Sequence, residues 1–204
     1  MPEYNYNILK YNNYVPYGKL VLDAAPVTTL VSLAEAKEHL RVDHSNDDTY
    51  ITTLIDVATD VVESFTRTKL ITQRWNIYFD QFPPYIDLQI GIVRQVLSVR
   101  YYDQDNVLQT LPTTDYDVDV NAKPGRIYEA TGKSFPQTYE RANAVIVTFE
   151  VGVTDKLPSA FKAAMLIIIG RYYENRQDVV LGTIATEVPL MVEHLLTPYR
   201  LLEL

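Results

Sequence analysis

The stretch EHLRVDHSNDD, residues 38–48, gathers the residue types that could bind a metal ion or move a proton. It contains two of the three histidines in the chain, His39 and His44, with acidic residues around them. Helical metal sites usually place their ligands three or four residues apart on one face. His39 and Asp43 are four apart, but the preceding helix is predicted to stop near Arg41, and no second pair of ligands with such a spacing occurs later in the chain. We therefore predict no metal site in this stretch.

Helix-capping rules account for the same stretch without a metal. The sequence SLAE, residues 32–35, is a capping box and predicts a helix over about 32–41. Ser45 or Asn46 is predicted to cap a second, strongly amphipathic helix over about 47–67. The two aspartates in its first turn lie where the helix dipole favours negative charge. The stretch is thus predicted to form the corner between two helices.

Other motifs that carry chemistry are missing from the sequence. There is no cysteine, which excludes disulfides, thiolate nucleophiles and cysteine zinc sites. The 7 glycines form no phosphate-binding loop, and no Gly-x-Ser-x-Gly is present. Asp115, Asp117 and Asp119 alternate with apolar residues and share one environment, so they are predicted to lie on a solvated strand face. We predict no catalytic residue, no cofactor and no metal, and therefore no enzyme.

Length and charge limit the remaining roles. A chain of 204 residues with 47% apolar residues suits one mid-sized domain, or a core with an elaborated insertion. The formal charge is −8 and Lys and Arg form no run, whereas tight nucleic-acid binding needs a basic face. The most apolar segment, Ala163–Gly170, is too short to span a membrane, and the start is no signal peptide. We expect a soluble, cytosolic product with no membrane contact.

Hydrophobic periodicity predicts an α+β fold, a small α-helical bundle of about four helices with an antiparallel β insertion between helices two and three. Alternating patterns predict strands from Ile71 onwards, of which 144–152 is predicted to be the most buried. Pro158 is predicted at the first position of a long helix that is buried on most sides, either at the centre of the fold or between subunits. The predicted parts, in one structural domain, are an extended N-terminal arm (1–30), a helical pair (31–70), a β-rich insertion (71–153), C-terminal helices (154–197) and a docking tail (198–204).

Three segments carry residues suited to protein contacts. The arm interleaves tyrosine with asparagine, and is either a disordered terminus or an extended arm that orders against a partner. GRYYENRQD, residues 170–178, makes either salt links on an exposed helix face or a subunit interface. The apolar C-terminal segment 195–204 either packs back on the core or docks into a partner. The candidate inter-subunit or partner contacts are Arg171, Tyr172, Tyr173, Glu174, Arg176, Tyr4, Tyr6, Tyr11 and Tyr14.

Seven stretches, in order over roughly residues 31–200, carry a resemblance to one protein family. They are SLAEAKEHLRVD, ITTLIDVATDVVESFTRTKLITQRW, FDQFPPYIDLQIGIVRQVLSVRYYD, DYDVDVNAKPGRIYEA, AVIVTFEVG, LPSAFKAAMLIIIGRYYENRQDVVLGT and VPLMVEHLLTPYR. Together they resemble the phage head–tail connector family, the adaptor or head-completion proteins of tailed bacteriophages and gene transfer agents. No single stretch is a catalytic signature. The arm at 1–29 lies outside the resemblance and is longer than the family leads us to expect.

The resemblance implies a structural protein of the virion neck, made in the host cytoplasm. About twelve copies would form a homo-oligomeric ring beneath the portal protein, extend the DNA channel and offer a platform to the next stopper or tail protein. DNA would pass without specific binding, because an acidic wall repels phosphate. The N-terminal arm is a candidate for contact with the capsid.

In relatives the C-terminal segment tends to engage the portal. By position, the resemblance places the candidate portal-binding residues at Pro198, Tyr199, Arg200, Leu201, Leu202 and Leu204. The alternative functions are another neck or tail component, such as a stopper or tail terminator, and a small cytosolic ligand-binding protein or enzyme.

Overall fold

The computed structural model describes residues 17–152, 157–176 and 190–201. These described residues contain helices and antiparallel strands, which confirms the predicted α+β class. The helices are α1 (Leu33–Leu40), α2 (Asp48–Thr66), α3 (Ser159–Glu174) and α4 (Leu190–Leu196), followed by a 3₁₀ turn, Thr197–Tyr199. The strands are β1 (Lys19–Ala24), β2 (Gln73–Phe79), β3 (Ile86–Asp87), β4 (Val93–Tyr102), β5 (Leu108–Thr110), β6 (Tyr116–Asp119), β7 (Arg126–Glu129) and β8 (Val145–Val151).

The four helices enclose the first of two hydrophobic cores. Helix α2 buries apolar residues at helical spacing, among them Ile51, Leu54 and Ala58, and packs mainly against α3. Within one chain, helix α3 buries one face against the other helices, so it is not at the centre of the fold. Burial of its other side between subunits stays a prediction. Leu166 and Ile167 are only half-buried, because the packed helices of one chain cover α3 from one direction.

The β insertion forms the second core between two antiparallel sheets. A five-stranded sheet has the order β1-β2-β8-β4-β5, and a three-stranded sheet has the order β3-β7-β6. Strand β8 occupies the centre of the larger sheet, and Val147 and Phe149 are fully buried there. This confirms the prediction that 144–152 is the most buried strand. Every second residue of β8, from Val145 to Val151, is buried, as expected of a strand with one face on the core.

The sheets differ from the sequence predictions for the N-terminal arm and for the stretch DYDVDV. The second half of the predicted arm is strand β1, which pairs with β2 from Lys19 opposite Tyr78 onwards, so this part orders against its own chain. In DYDVDV, only Tyr116 faces the core, while Val118 and Val120 are 37% and 38% exposed. The alternation fails there because β6 is a short edge strand that ends at Asp119.

The connection between bundle and sheets is tightly fitted. The carboxylate of Glu63, a buried residue on α2, accepts the Leu70 N–H at 2.9 Å and contacts Lys69 Nζ at 2.6 Å. Where the chain returns from the sheets, Gly152 has φ +119° and its backbone lies against the Ile71 carbonyl. Only glycine adopts this conformation without strain.

Replacing Gly152 by alanine is predicted to destabilise the protein. An added Cβ would lie 2.5 Å from the Ile71 carbonyl oxygen, a backbone atom that cannot rotate away, and φ would remain strained. We expect the free energy of unfolding, measured by urea denaturation, to fall by about 2 kcal/mol or more.

Gly170→Ala in α3 is the matched control. Its added Cβ would meet His39 Nε2 at 3.5 Å, an ordinary contact. Alanine also favours the helix, so we expect the free energy of unfolding to rise by up to about 1 kcal/mol. If both substitutions lowered the free energy of unfolding equally, the close contact between Gly152 and Ile71 would not be the cause.

Candidate assembly surfaces

The stretch 38–48 forms the corner between α1 and α2. Arg41 ends α1 in left-handed backbone, at φ 56°, and donates its N–H to a carbonyl one turn back. Across the corner, Lys37 Nζ contacts the Asp48 carboxylate at 2.6 Å. Within 17–152, 157–176 and 190–201, no group of three or more His, Asp or Glu residues is placed to hold a metal ion.

Glu35 joins α1 to α3 by two kinds of contact. It completes the predicted capping box, with the Ser32 N–H donating to its carboxylate at 2.9 Å and its own N–H donating to Ser32 Oγ at 3.3 Å. Its other carboxylate oxygen accepts a hydrogen bond from Lys162 on α3. These donors, Lys162 first, lower the pKa of Glu35 to about 2. The carboxylate therefore remains ionised and keeps its hold on α3 at neutral pH.

Helix α2 does not begin with the predicted cap. Its N-cap residue is Asp47 rather than Ser45 or Asn46, and Asp47 makes no side-chain cap hydrogen bond. Its carboxylate instead accepts the Tyr173 hydroxyl at 2.5 Å and the Arg176 guanidinium at 3.2 Å. A charged donor and a phenol bind a carboxylate better than one backbone N–H does. Asp47, which the sequence analysis assigned to the start of α2 alone, therefore links α2 to the end of α3.

Aromatic rings complete this contact between the helices. The Arg176 guanidinium lies over the rings of Tyr50 and Tyr173, at 4.9 and 5.2 Å from their centroids. The Tyr50 hydroxyl donates to the Tyr172 carbonyl at 3.1 Å, and the Tyr172 side chain is buried in the helical core. We call Asp47, Tyr50, Tyr173 and Arg176 the α2–α3 clamp.

The clamp is neither of the two arrangements predicted for residues 170–178, which were salt links along one exposed helix face and a subunit interface. Its contacts are made within one chain, to a helix far away in sequence, and not along one helix face. Tyr172 serves the core, while Arg171 and Glu174 are exposed, and 56% of the Arg176 side chain is exposed. A subunit interface at this end of α3 stays a prediction, for which these exposed groups are the available surface.

The C-terminal segment continues from α4 as the 3₁₀ turn that contains Pro198. The Tyr199 ring lies 5.1 Å from that of Phe161 in α3, and the Arg200 guanidinium lies 5.3 Å from the centroid of Phe65 in α2. This part of the predicted docking tail therefore packs on its own bundle.

Leu201 extends the packing by one backbone hydrogen bond, from its N–H to the Thr66 carbonyl at 3.0 Å. Through Leu201 the segment packs back on the bundle, but Pro198, Tyr199 and Arg200 are still exposed. Docking of residues 198–204 into a partner therefore stays a prediction. The candidates that lie outside the described residues are Leu202, Leu204, Tyr4, Tyr6, Tyr11 and Tyr14.

Sequence reasoning missed an apolar pair at the start of α4. Leu190 and Met191 are 71% and 63% exposed, whereas Val192 and Leu196 are fully buried. The signal was present in the sequence, because residues four apart lie on one helix face and leave the intervening apolar residues outside. Large exposed apolar side chains side by side are candidates for a protein contact.

Tyr173→Phe tests the clamp through its dependence on pH. The pKa of Asp47 lies below its ordinary value of 3.8, chiefly because the Tyr173 hydroxyl donates to it, with attraction from Arg176 added. A lowered carboxyl pKa stabilises the fold above the unfolded value, and this stabilisation is lost as pH falls through the folded value. We expect the variant to lower the urea midpoint at pH 7, and the difference from wild type to shrink well below pH 3.8.

Tyr139→Phe serves as the control, because Tyr139 is 42% exposed and its hydroxyl makes no hydrogen bond to the described residues. It should leave the urea midpoint unchanged at both pH values. If Tyr173→Phe lost the same stability in acid as at pH 7, the bond to ionised Asp47 would not be its cause.

The chain is similar to one known protein family and to several solved structures. The family described as "Phage gp6-like head-tail connector protein" matches residues 30–120. No curated protein matches the sequence. A chain in the solved structure "Neck of empty GTA particle computed with C6 symmetry" is similar with 22% identity and a TM-score of 0.71, over 91% of this chain and 97% of that chain.

Two further structures show the same similarity. A chain in "Virion of native gene transfer agent (GTA) particle" is 20% identical, with a TM-score of 0.71, over 91% of this chain and 96% of that chain. A chain in "Neck of native GTA particle computed with C12 symmetry" is 20% identical, with a TM-score of 0.66, over 89% of this chain and 96% of that chain. None of the helices in the described ranges is both long and apolar enough to cross a membrane.

The predicted resemblance is confirmed by these matches, and the prediction of a structural protein and not an enzyme agrees with them. The family match covers α1, α2 and strands β2 to β6, and the structural matches extend over most of the chain. The chain therefore resembles the phage head–tail connector family over residues 30–120 and shares its fold, over about nine-tenths of its length, with proteins of gene transfer agent particles.

Proposed function

We propose that the protein is a structural head–tail connector, or adaptor, in the neck of a tailed phage or a related particle. The observation that carries the proposal is the extent of the fold match: 91% of this chain corresponds to 97% of a chain in a particle neck. Little of either chain is left over to serve a different role. The connector match over residues 30–120 points to the same function from sequence.

We infer that copies of the chain assemble into a ring of about twelve beneath the portal protein, and that the ring carries the next stopper or tail protein. A twelve-fold neck reconstruction among the similar structures supports this number. A ring of identical chains needs two different contact faces on each copy. The exposed charged groups at the end of α3, Arg171, Glu174 and Arg176, are suited to such a face, and so are the exposed apolar side chains of Leu190 and Met191 on α4.

The charge of the chain supports the passage of DNA through such a ring without binding. Helix α2 has 19 residues and contains no Lys or Arg. Its outward side exposes Thr52, Thr53, Asp56 and Asp60, and both threonine hydroxyls donate to carbonyls of the helix itself. A surface of this kind has nothing that neutralises phosphate, so DNA would slide past it.

Portal attachment is proposed to depend on the end of the C-terminal tail. The segment packs on the bundle through Leu201, and the contact that attaches the portal is proposed for the apolar residues that follow it, Leu202 and Leu204. Replacing Leu202 and Leu204 together by serine should weaken portal binding at least tenfold and leave the unfolding curve unchanged. Native mass spectrometry of the protein mixed with its portal measures the binding.

Glu203→Ser is the control for this pair, because it changes the same segment but removes no apolar side chain. It should retain portal binding. Full binding by the double serine variant would refute the tail as the portal contact. A wild-type chain that remains monomeric and ignores portal would refute the connector function itself.

The apolar pair on α4 provides a separate test of ring formation. Leu190→Ser combined with Met191→Ser should leave the free energy of unfolding within about 0.5 kcal/mol of wild type, because both side chains are already exposed. The same variant should lose ring formation on portal, as seen by electron microscopy. Val192→Ser, at a buried position beside them, should instead unfold the bundle. Rings that form normally without the apolar pair would exclude it from the interface.

A further inference from the structure

We propose that a groove at one end of the five-stranded sheet binds the N-terminal segment of the same chain, residues 1–16. The groove has a volume of about 850 Å³, within the range of sites that bind other molecules. We call it the arm groove. Its lining includes Tyr17, Tyr78, Asp80, Tyr139, Glu140 and Asn143.

The register of β1 directs the chain into this groove. Strands β1 and β2 are antiparallel with Lys19 opposite Tyr78, and the two residues before Lys19 lie toward Phe79 and Asp80. The pairing of β1 with β2 ends at Lys19, although Phe79 still pairs with β8 on its other edge. The β2 edge that β1 leaves uncovered lies at the groove, and Tyr17 already stands on its wall.

The exit direction is fixed by Gly18. A Cβ at this position would lie 2.5 Å from the Ile77 side chain and 2.7 Å from Phe79, so the backbone runs directly over the sheet. The Gln89 side-chain amide can make two hydrogen bonds to the Gly18 backbone. In that orientation its oxygen accepts the Gly18 N–H at 2.8 Å and its nitrogen donates to the Gly18 carbonyl at 3.3 Å. Tyr17, the first residue that the structure describes, lines the groove, so the segment is tethered at the groove itself.

The wall opposite β1 is held in place before anything binds. The Tyr139 N–H donates to the Tyr102 carbonyl at 3.0 Å, and the Arg141 guanidinium lies 3.9 Å from the Tyr102 ring centroid. The Asn143 N–H donates to the Asp80 carboxylate at 2.8 Å. Binding to a preformed groove costs little ordering of the protein.

The chemistry of the segment matches that of the groove. Residues 11–16 read YNNYVP, in which two tyrosines flank two asparagines and no residue is charged. The groove offers the exposed rings of Tyr17 and Tyr139, 82% and 42% exposed, for aromatic contacts. The carboxylates of Asp80 and Glu140 and the side chain of Asn143 offer partners for asparagine amides. The segment is tethered at Tyr17, so its effective concentration at the groove exceeds that of any other copy.

Cysteine cross-linking tests this proposal on the isolated full chain, which has no cysteine of its own. The test variant combines Tyr14→Cys with Glu140→Cys on the groove wall. The control combines Tyr14→Cys with Asp56→Cys, an exposed position in the helical bundle. With a short bis-maleimide at low protein concentration, we expect the intrachain link in the test variant at ten times the control yield or more. Adding Tyr139→Ala should bring the yield down to that of the control.

Equal yields in the test and control variants would overturn the proposal, and so would a link that joins two copies in the test variant. Mass spectrometry of the linked peptides, with the monomer and dimer bands separated, distinguishes these results. The main comparison between the two cysteine pairs holds even if Tyr139→Ala alters the loop. No portal is present, so the result does not depend on the connector function.

Discussion

The junction between the helical bundle and the sheets is the constraint on which the rest of the structure depends. The chain leaves the bundle after α2 and returns before α3, and these two helices then share one core. Where the chain leaves the bundle, the Glu63 carboxylate binds Leu70 and Lys69. Where the chain returns, Gly152 packs closely against Ile71. With both ends held together, the whole insertion closes as one loop, whose entropy cost grows only slowly with its length.

From this junction, polar contacts orient α3 at both of its ends. Glu35 holds Lys162 near the start of the helix, and the clamp holds the end through Asp47 and Arg176. Exposed ion pairs contribute little stability individually, so burial of the apolar face supplies most of the packing energy. The polar contacts decide how α3 is turned on α2. That orientation determines which groups at the helix end remain exposed.

Periodicity and composition predicted the elements well, because they report which residues a helix or strand must bury. The apolar run of β8 and the spacing of α2 carried enough signal to place both. Local rules failed where a distant residue competed. Asp47 stands at a helix start, yet its carboxylate binds Tyr173, 126 residues away. Likewise, nothing in the tyrosine-rich arm indicates that residues 19–24 add an edge strand to a sheet formed by residues far along the chain.

The acidic residues that first suggested a metal or acid–base site make structural ion pairs instead. Glu35, Asp47 and Asp48 are each engaged by a basic side chain on another element, which explains why carboxylates and histidines crowd one corner without forming a site. The acids left over on α2, Asp56 and Asp60, face outwards on a helix without a single Lys or Arg. Under the proposed connector function, such an acidic helix face would repel the phosphates of DNA that passes it.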